Sequence, residues 1–324
     1  MGEYLTQPYH LSFAGNSFMG ITNLGSAQCL VDHGLGVLQK AQRIGATSSS
    51  AMIAAVLATA PNKLPDYLYL LFELIDEIAT LPLGAISPGF DLIHRLRSIL
   101  LKILPEDAHI KASQKLHLKA TLLQAVDKYQ TLAVQDVEQG TSSCVRTKGP
   151  KVFEIGNRCW SLGQEVELVS YASREDLIEV LLGCIYVPWF PTWQPPQVSG
   201  KILGDSALSR LENFHAEPSF HFPPGKVIKI SPDPKCRTAI RDKIACGWVD
   251  TTGQRFEITS LQMFRIGDGL YPPPKGHMEA YYADGYEDAT KFLKFYHSYD
   301  ENEKGNGPRS DRYAAIHSPE DLKF

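Results

Sequence analysis

Residues 42–61 read QRIGATSSSAMIAAVLATAP, and this stretch decides the fold. Gln42 to Gly45 is strand-like, Ala46 to Ser50 is a tight run of small residues, and Ala51 to Thr59 is an alanine-rich helix that Pro61 ends. The same rhythm stands upstream. His10 to Phe13 is a short apolar strand, Ala14 to Ser17 a small polar turn, and Phe18 to His33 has helical apolar spacing at Met19, Ile21, Leu24, Cys29 and Leu30. Two consecutive strand-to-helix turns built of small residues predict an α/β sheet whose functional groups sit at the strand ends.

Outward from there, Pro65 to Leu81 and Phe90 to Leu104 are amphipathic helices, with Pro88 near the start of the second and Pro105 closing it. Both are expected to cover the sheet. Lys115 to Leu123 alternates like a strand, and residues 136–158, rich in Gly, Ser and Thr, predict a loop or hairpin insertion. Arg174 to Leu182 is helical, with Ser173 as N-cap and Glu175 and Asp176 in the first turn, where the helix dipole favours acids. Tyr186 to Pro196 is proline-rich and predicts irregular extended chain. Val227 to Ile230 is a further strand, Gly285 to Tyr296 a final helix, and residues 297–324 a polar tail. The expected layout is a lead over 1–8, one domain over 9–296 and that tail.

Composition narrows the function classes. The 324 residues are 44% hydrophobic and 21% charged with a net charge of -4, which suits a globular chain and excludes disorder, coiled coil and the basic surplus of a nucleic-acid binder. Six scattered cysteines, without a CxxC pair, fit neither a disulfide scaffold nor a zinc site. No metal and no cofactor is expected. His215 and His221 have five residues between them, a spacing outside the short metal-binding patterns, and are expected as surface histidines. The start, MGEYLTQPYH, lacks the basic and apolar regions of a signal peptide, so a cytoplasmic setting is expected; MGEYLT also has the shape of a myristoylation sequence. Leu64 to Ile86 is apolar but carries Asp66, Glu73, Asp76 and Glu77, which argues against a bilayer span.

Chemistry is expected at the two small-residue turns and at one later aspartate. In acyl hydrolases the nucleophile sits on a sharp strand-to-helix turn flanked by glycines. The matching segment here is Gly45-Ala46-Thr47-Ser48-Ser49, with Gly15-Asn16-Ser17 and Gly20 as the loop whose backbone N–H groups would face an oxyanion, and Asp205 in GDSA as the base. Taken alone, TSSS is most often a helix N-cap cluster and Asp205 before Ser206 most often a turn-forming acid.

The segments LSFAGNSFMGITNLGSAQCL, RIGATSSSAMIAAVLATAP, LGAISPGFDLIHRLRSILLKILPEDAH, SREDLIEVLLGCIYVPWFP, PPQVSGKILGDSALS and the late YPPP with DGYEDATKFL, in that order, resemble the patatin-like phospholipase family of the adiponutrin and adipose triglyceride lipase type. The resemblance implies a three-layer α/β/α fold with a mostly parallel sheet and a serine-aspartate dyad acting on acyl esters, triacylglycerols or phospholipids, at lipid droplets or membrane surfaces. It also implies motifs that this chain alters. Where the family has GGGxxG, the loop has Gly15, Asn16, Ser17 and Gly20; where it has GxSxG, Thr47 stands at the nucleophile and Ser49 at the second glycine; Asp205 matches the base.

A β-branched residue at a strained elbow is an outlier costing about 1–3 kcal/mol, so weakened or altered acyl chemistry is expected. The alternative is a non-catalytic homologue that keeps the fold and binds an acyl lipid or a protein. Ser48 and Ser50 are further hydroxyls, expected to project away from the direction of residue 47. With a negative net charge, lipid contact would have to come from apolar surface around Leu64 to Ile86 and from the aromatic group Tyr186, Trp189, Phe190 and Trp193.

Overall fold

A computed structural model describes residues 8–15, 17–126, 151–155, 158–188, 194–213, 220–231, 257–259 and 272–301. The start MGEYLT, Asn16, most of the 136–158 insertion, Trp189, Phe190, Trp193, His215 and the tail beyond residue 301 lie outside them.

The fold is mixed α/β, built on one sheet. Strands β1 (Tyr9–Phe13), β2 (Ala41–Thr47), β3 (Leu116–Val126), β4 (Lys151–Ile155), β5 (Arg158–Leu168), β6 (Gln197–Val198), β7 (Lys201–Asp205), β8 (Lys226–Ser231) and β9 (Glu257–Thr259) belong to it. The order β3-β2-β1-β8-β9 is parallel throughout. Beyond β3 the sheet turns antiparallel, through β5 to β4 and through β7 to β6. The end of the 136–158 stretch is thus β4 and the start of β5, a hairpin arm.

Register and alternation sort the side chains of the parallel strands onto two faces. Leu11 pairs Ile44, which pairs Leu116; Phe13 pairs Ala46, which pairs Leu118. All six are buried and apolar. The opposite face carries Ser12, Gly45 and His117 in one row and Thr47 and Lys119 in the next.

Helices α1 (Ile21–His33), α2 (Leu35–Lys40), α3 (Ser50–Thr59), α4 (Leu64–Ala79), α5 (Leu92–Ile103), α6 (Ala108–Ala112), α7 (Arg174–Gly183) and α8 (Lys275–Phe295) complete the described elements. The apolar residues of α3 fall all round its axis and nearly all are buried, as a helix without a polar face must be. In α4, Leu64, Tyr67, Leu68, Phe72, Leu74, Ile75 and Ile78 turn inward, while Tyr69, Leu83 and Ile86 in and after it stay exposed. Ser173 caps α7 by accepting the N–H of Asp176 at 3.1 Å, as its sequence predicts. No described helix is long and apolar enough to cross a membrane.

The last helix corrects its expectation, beginning at Lys275 rather than Gly285. Gly285 lies mid-helix because it is where α8 crosses α1. A methyl group there would collide with the carbonyl of Thr22, and one at Gly25 with the carbonyl of Tyr282. Ser26 Oγ donates across this crossing to Gly285 O at 2.9 Å. Buried apolar residues from Tyr9 to Tyr296 form one continuous cluster.

Candidate active site

The site is assembled by the edge of β3. Thr47, the last residue of β2, pairs Lys119, and Asp205, the last residue of β7, pairs the next residue, Ala120. β7 therefore takes over the edge where β2 leaves it, and the two strand ends meet head to head. The residue that follows Thr47 is delivered onto Asp205: Ser48 Oγ donates to Asp205 Oδ2 at 2.6 Å.

This shifts the expected register of the elbow by one residue. Ser48, with φ of 51°, carries the left-handed turn between β2 and α3, whereas Thr47 remains in the strand, 3% exposed. An unbranched serine takes the strained position, and the β-branched threonine stays in the extended chain it favours. The strain argued against Thr47 as nucleophile therefore does not arise, because Thr47 does not occupy the turn. Gly45 is likewise not an elbow glycine. It lies inside β2, and its bare Cα admits Phe220, whose ring would stand 2.7 Å from a methyl group there. Ser49 Oγ is buried without a hydrogen-bond partner among the described residues, against Gly20, where a methyl group would fall 2.6 Å from it.

Asp205 is held on every side. Its Oδ1 accepts the N–H of Ala207 at 2.8 Å, its own N–H donates to Tyr186 O at 2.7 Å, and its carbonyl accepts Thr121 Oγ1 at 2.9 Å. Thr121 Oγ1 in turn accepts the N–H of Ser209 at 3.3 Å, which ties down the short 3-10 helix Ser206–Asn213. Sequence reasoning does not single out Thr121. Its signal is its place on β3, two residues past Lys119 on the same face. Tyr186, expected as core or pocket, is 2% exposed. Burial first, and then the charge of Asp205, push the Cys184 thiol upward, so it stays protonated beside the carboxylate.

The loop after β1 touches the elbow directly. A methyl group at Gly15 would collide with Ser48 Cβ, so only glycine permits this approach. The Gly15 N–H, one of the expected oxyanion donors, points instead to Thr47 Oγ1 at 3.0 Å. Ser17 adopts a φ of 49°, a left-handed conformation that favours glycine. Asn16, the remaining expected donor, is outside the described residues.

Below the site, the second face of the sheet is a polar layer. Lys119 pairs Glu165 at 2.8 Å and lies 5.6 Å from the centre of the Phe220 ring. His117 Nδ1 donates to Glu167 Oε1 at 2.6 Å, and His221 donates to Glu167 Oε2 from its backbone at 3.0 Å and its ring at 2.8 Å. His221 is at the surface, as expected, yet it is hydrogen-bonded to Glu167. Burial opposes ionisation of Glu167, but these hydrogen bonds together outweigh it and hold its pKa below the usual carboxylate value. Phe222 stacks on His10 with ring centres 4.7 Å apart. No group of three or more metal-ligating side chains occurs among the described residues.

No family model matches the chain. Human patatin-like phospholipase domain-containing protein 4 is 29% identical over 287 residues, covering 88% of this chain and 96% of that protein. Mouse patatin-like phospholipase domain-containing protein 5 is 25% identical over 289 residues, and the mouse omega-hydroxyceramide transacylase is also 25% identical over 289. The chain spans 56% and 41% of the lengths of those two. Similarity over 88% of the sequence takes in the elbow and the aspartate. The chain is a homologue of the patatin-like phospholipase domain-containing proteins.

Proposed function

We propose that this protein is a serine acyl-ester hydrolase or acyltransferase acting on a lipid ester, with Ser48 as nucleophile and Asp205 as base. The observation that carries the proposal is the 2.6 Å hydrogen bond from Ser48 Oγ to Asp205 Oδ2 at a left-handed strand-to-helix turn. Asp205 takes the hydroxyl proton as Ser48 Oγ bonds to the ester carbonyl carbon. The carbonyl electrons move to oxygen, and collapse of the tetrahedral species expels the alcohol, which takes up the proton. Water or a second alcohol then attacks the acyl-Ser48 ester, giving acid or transferred acyl group and freeing the serine. The N-terminal end of α3, directly behind Ser48, favours the negative charge that develops on oxygen.

The lipid substrate class rests on the relatives, which are named as phospholipase-domain proteins and a ceramide transacylase. Contact with a droplet or membrane surface would use the exposed Leu83 and Ile86.

Hydrolysis of p-nitrophenyl butyrate and of triolein by purified protein tests the proposal. Ser48→Ala and Asp205→Asn should each lower kcat by about a thousandfold or more, while Thr47→Val keeps measurable turnover. A wild type without turnover on any ester would favour the non-catalytic alternative, and turnover that survives Ser48→Ala would remove Ser48 from the mechanism.

A further inference from the structure

The peptide group that joins Ala14 to Gly15 is gripped from both sides. Its carbonyl accepts Ser50 Oγ at 2.8 Å and Asn23 Nδ2 at 2.7 Å, and Asn23 Nδ2 also donates to Ser50 Oγ at 2.8 Å. Its N–H donates to Thr47 Oγ1 at 3.0 Å. One residue upstream, the N–H of Ala14 is bonded to Ile230 O of β8 at 2.9 Å. Asn23 and Ser50 are 1% and 0% exposed. Among the described residues, their side chains make these hydrogen bonds and no others.

The orientation of this peptide plane matters because it holds Gly15 against Ser48 at the start of the loop expected to face the oxyanion. Rotation of the plane would exchange its carbonyl and its N–H, and here that requires breaking all three bonds that hold it and leaving buried polar groups unpaired. Thr47 and Ser50 lie on either side of the Ser48–Ser49 turn, and Asn23 projects from the first turn of α1. The loop and the nucleophile are therefore fixed by one cluster. We propose that Asn23 and Ser50 are positioning residues that, together with Thr47, clamp the Ala14–Gly15 peptide and so aim the oxyanion loop at the acyl carbon bound to Ser48.

The clamp deepens the function proposed above and rests on it. Ser50 stands at the start of α3, where its hydroxyl does not cap its own helix but reaches across to the loop. Asn23 satisfies both hydrogens of its amide within the cluster. Neither side chain touches Asp205, so removing either leaves the Ser48–Asp205 pair intact and affects only the loop.

The test uses the full chain with Ser50→Cys, which keeps the volume but donates weakly, Asn23→Leu, which removes both donors, and Ser50→Thr, which restores the hydroxyl. Ester kcat should fall about 10- to 100-fold in the first two with KM within about twofold, and Ser50→Thr should recover most of it. Amide hydrogen exchange of the 9–20 segment should accelerate in Ser50→Cys and Asn23→Leu whatever the activity. Unchanged kcat in both, with Ser48→Ala inactive, would overturn the clamp and leave the dyad standing. If wild type is silent toward esters, the dyad reading fails, and unchanged hydrogen exchange in the variants would then overturn the clamp separately.

Discussion

The two faces of β1, β2 and β3 differ sharply although successive residues of the same strands supply both. One carries Leu11, Phe13, Ile44, Ala46, Leu116 and Leu118, all buried and apolar. The other carries Ser12, His10, Thr47, His117, Lys119 and Thr121, also buried, and the polar groups of the last five reach carboxylates, carbonyls or the loop of the candidate site. The first face supplies hydrophobic stabilisation without direction. The second supplies hydrogen bonds, which have direction, and two of them hold Asp205 and Gly15. Stability and chemistry are thus sorted to opposite sides of one sheet.

Mutations on the two faces should separate accordingly. Phe13→Ala, at a fully buried site, should cost about 3–5 kcal/mol of stability in denaturant unfolding, with kcat per folded molecule little changed. Thr121→Val should cost about 1–3 kcal/mol, because the N–H of Ser209 loses a hydrogen-bond acceptor. Its larger signature should be a kcat drop of about tenfold or more as Asp205 loosens. Equal stability loss without a rate effect in Thr121→Val would blur the distinction between the faces.

Smaller effects should appear in the pH dependence of stability. Burial, and then the positive charges of Arg43 and His117, outweigh the hydrogen bond to Pro223 and lower the pKa of His10 below 6.5. The folded protein resists a proton that the unfolded chain accepts, so stability should decline as pH falls from about 6.5 to the folded pKa of His10. His10→Phe should remove that slope. Glu167 acts in a lower window. Its depressed pKa means that its contribution is complete above about 4.5 and is lost as pH falls through the folded value, a loss that Glu167→Gln should abolish. A single transition spanning both windows and insensitive to either substitution would contradict this assignment.

The alternation of Leu116 to Leu123 and the small-residue turns made the sheet and its strand ends legible in sequence. So was Asp205, through the motif around it. The elbow register was not, because Gly45 looks like the first glycine of a turn when its role is to admit Phe220 from another part of the chain. The usable signal was Thr47 itself, whose β-branching extends the strand by two residues beyond Gly45 and moves the turn to Ser48. Gly285 misled in the same way: a glycine that serves a helix crossing reads in sequence as a helix boundary. In both places the glycine answers to a distant contact, which local pattern does not record. The partners of Asn23 and Thr121 are equally distant and depend on the order of strands in the sheet.

The central claim is that the activated hydroxyl belongs to Ser48. A fluorophosphonate forms a covalent bond from phosphorus to the attacking oxygen with loss of fluoride, so peptide mass spectrometry of the labelled protein locates that oxygen directly. The account predicts the adduct on Ser48, absent in Ser48→Ala and strongly reduced in Asp205→Asn. An adduct on Thr47, Ser49 or Ser50, or one on Ser48 that forms at the same rate without Asp205, would contradict it.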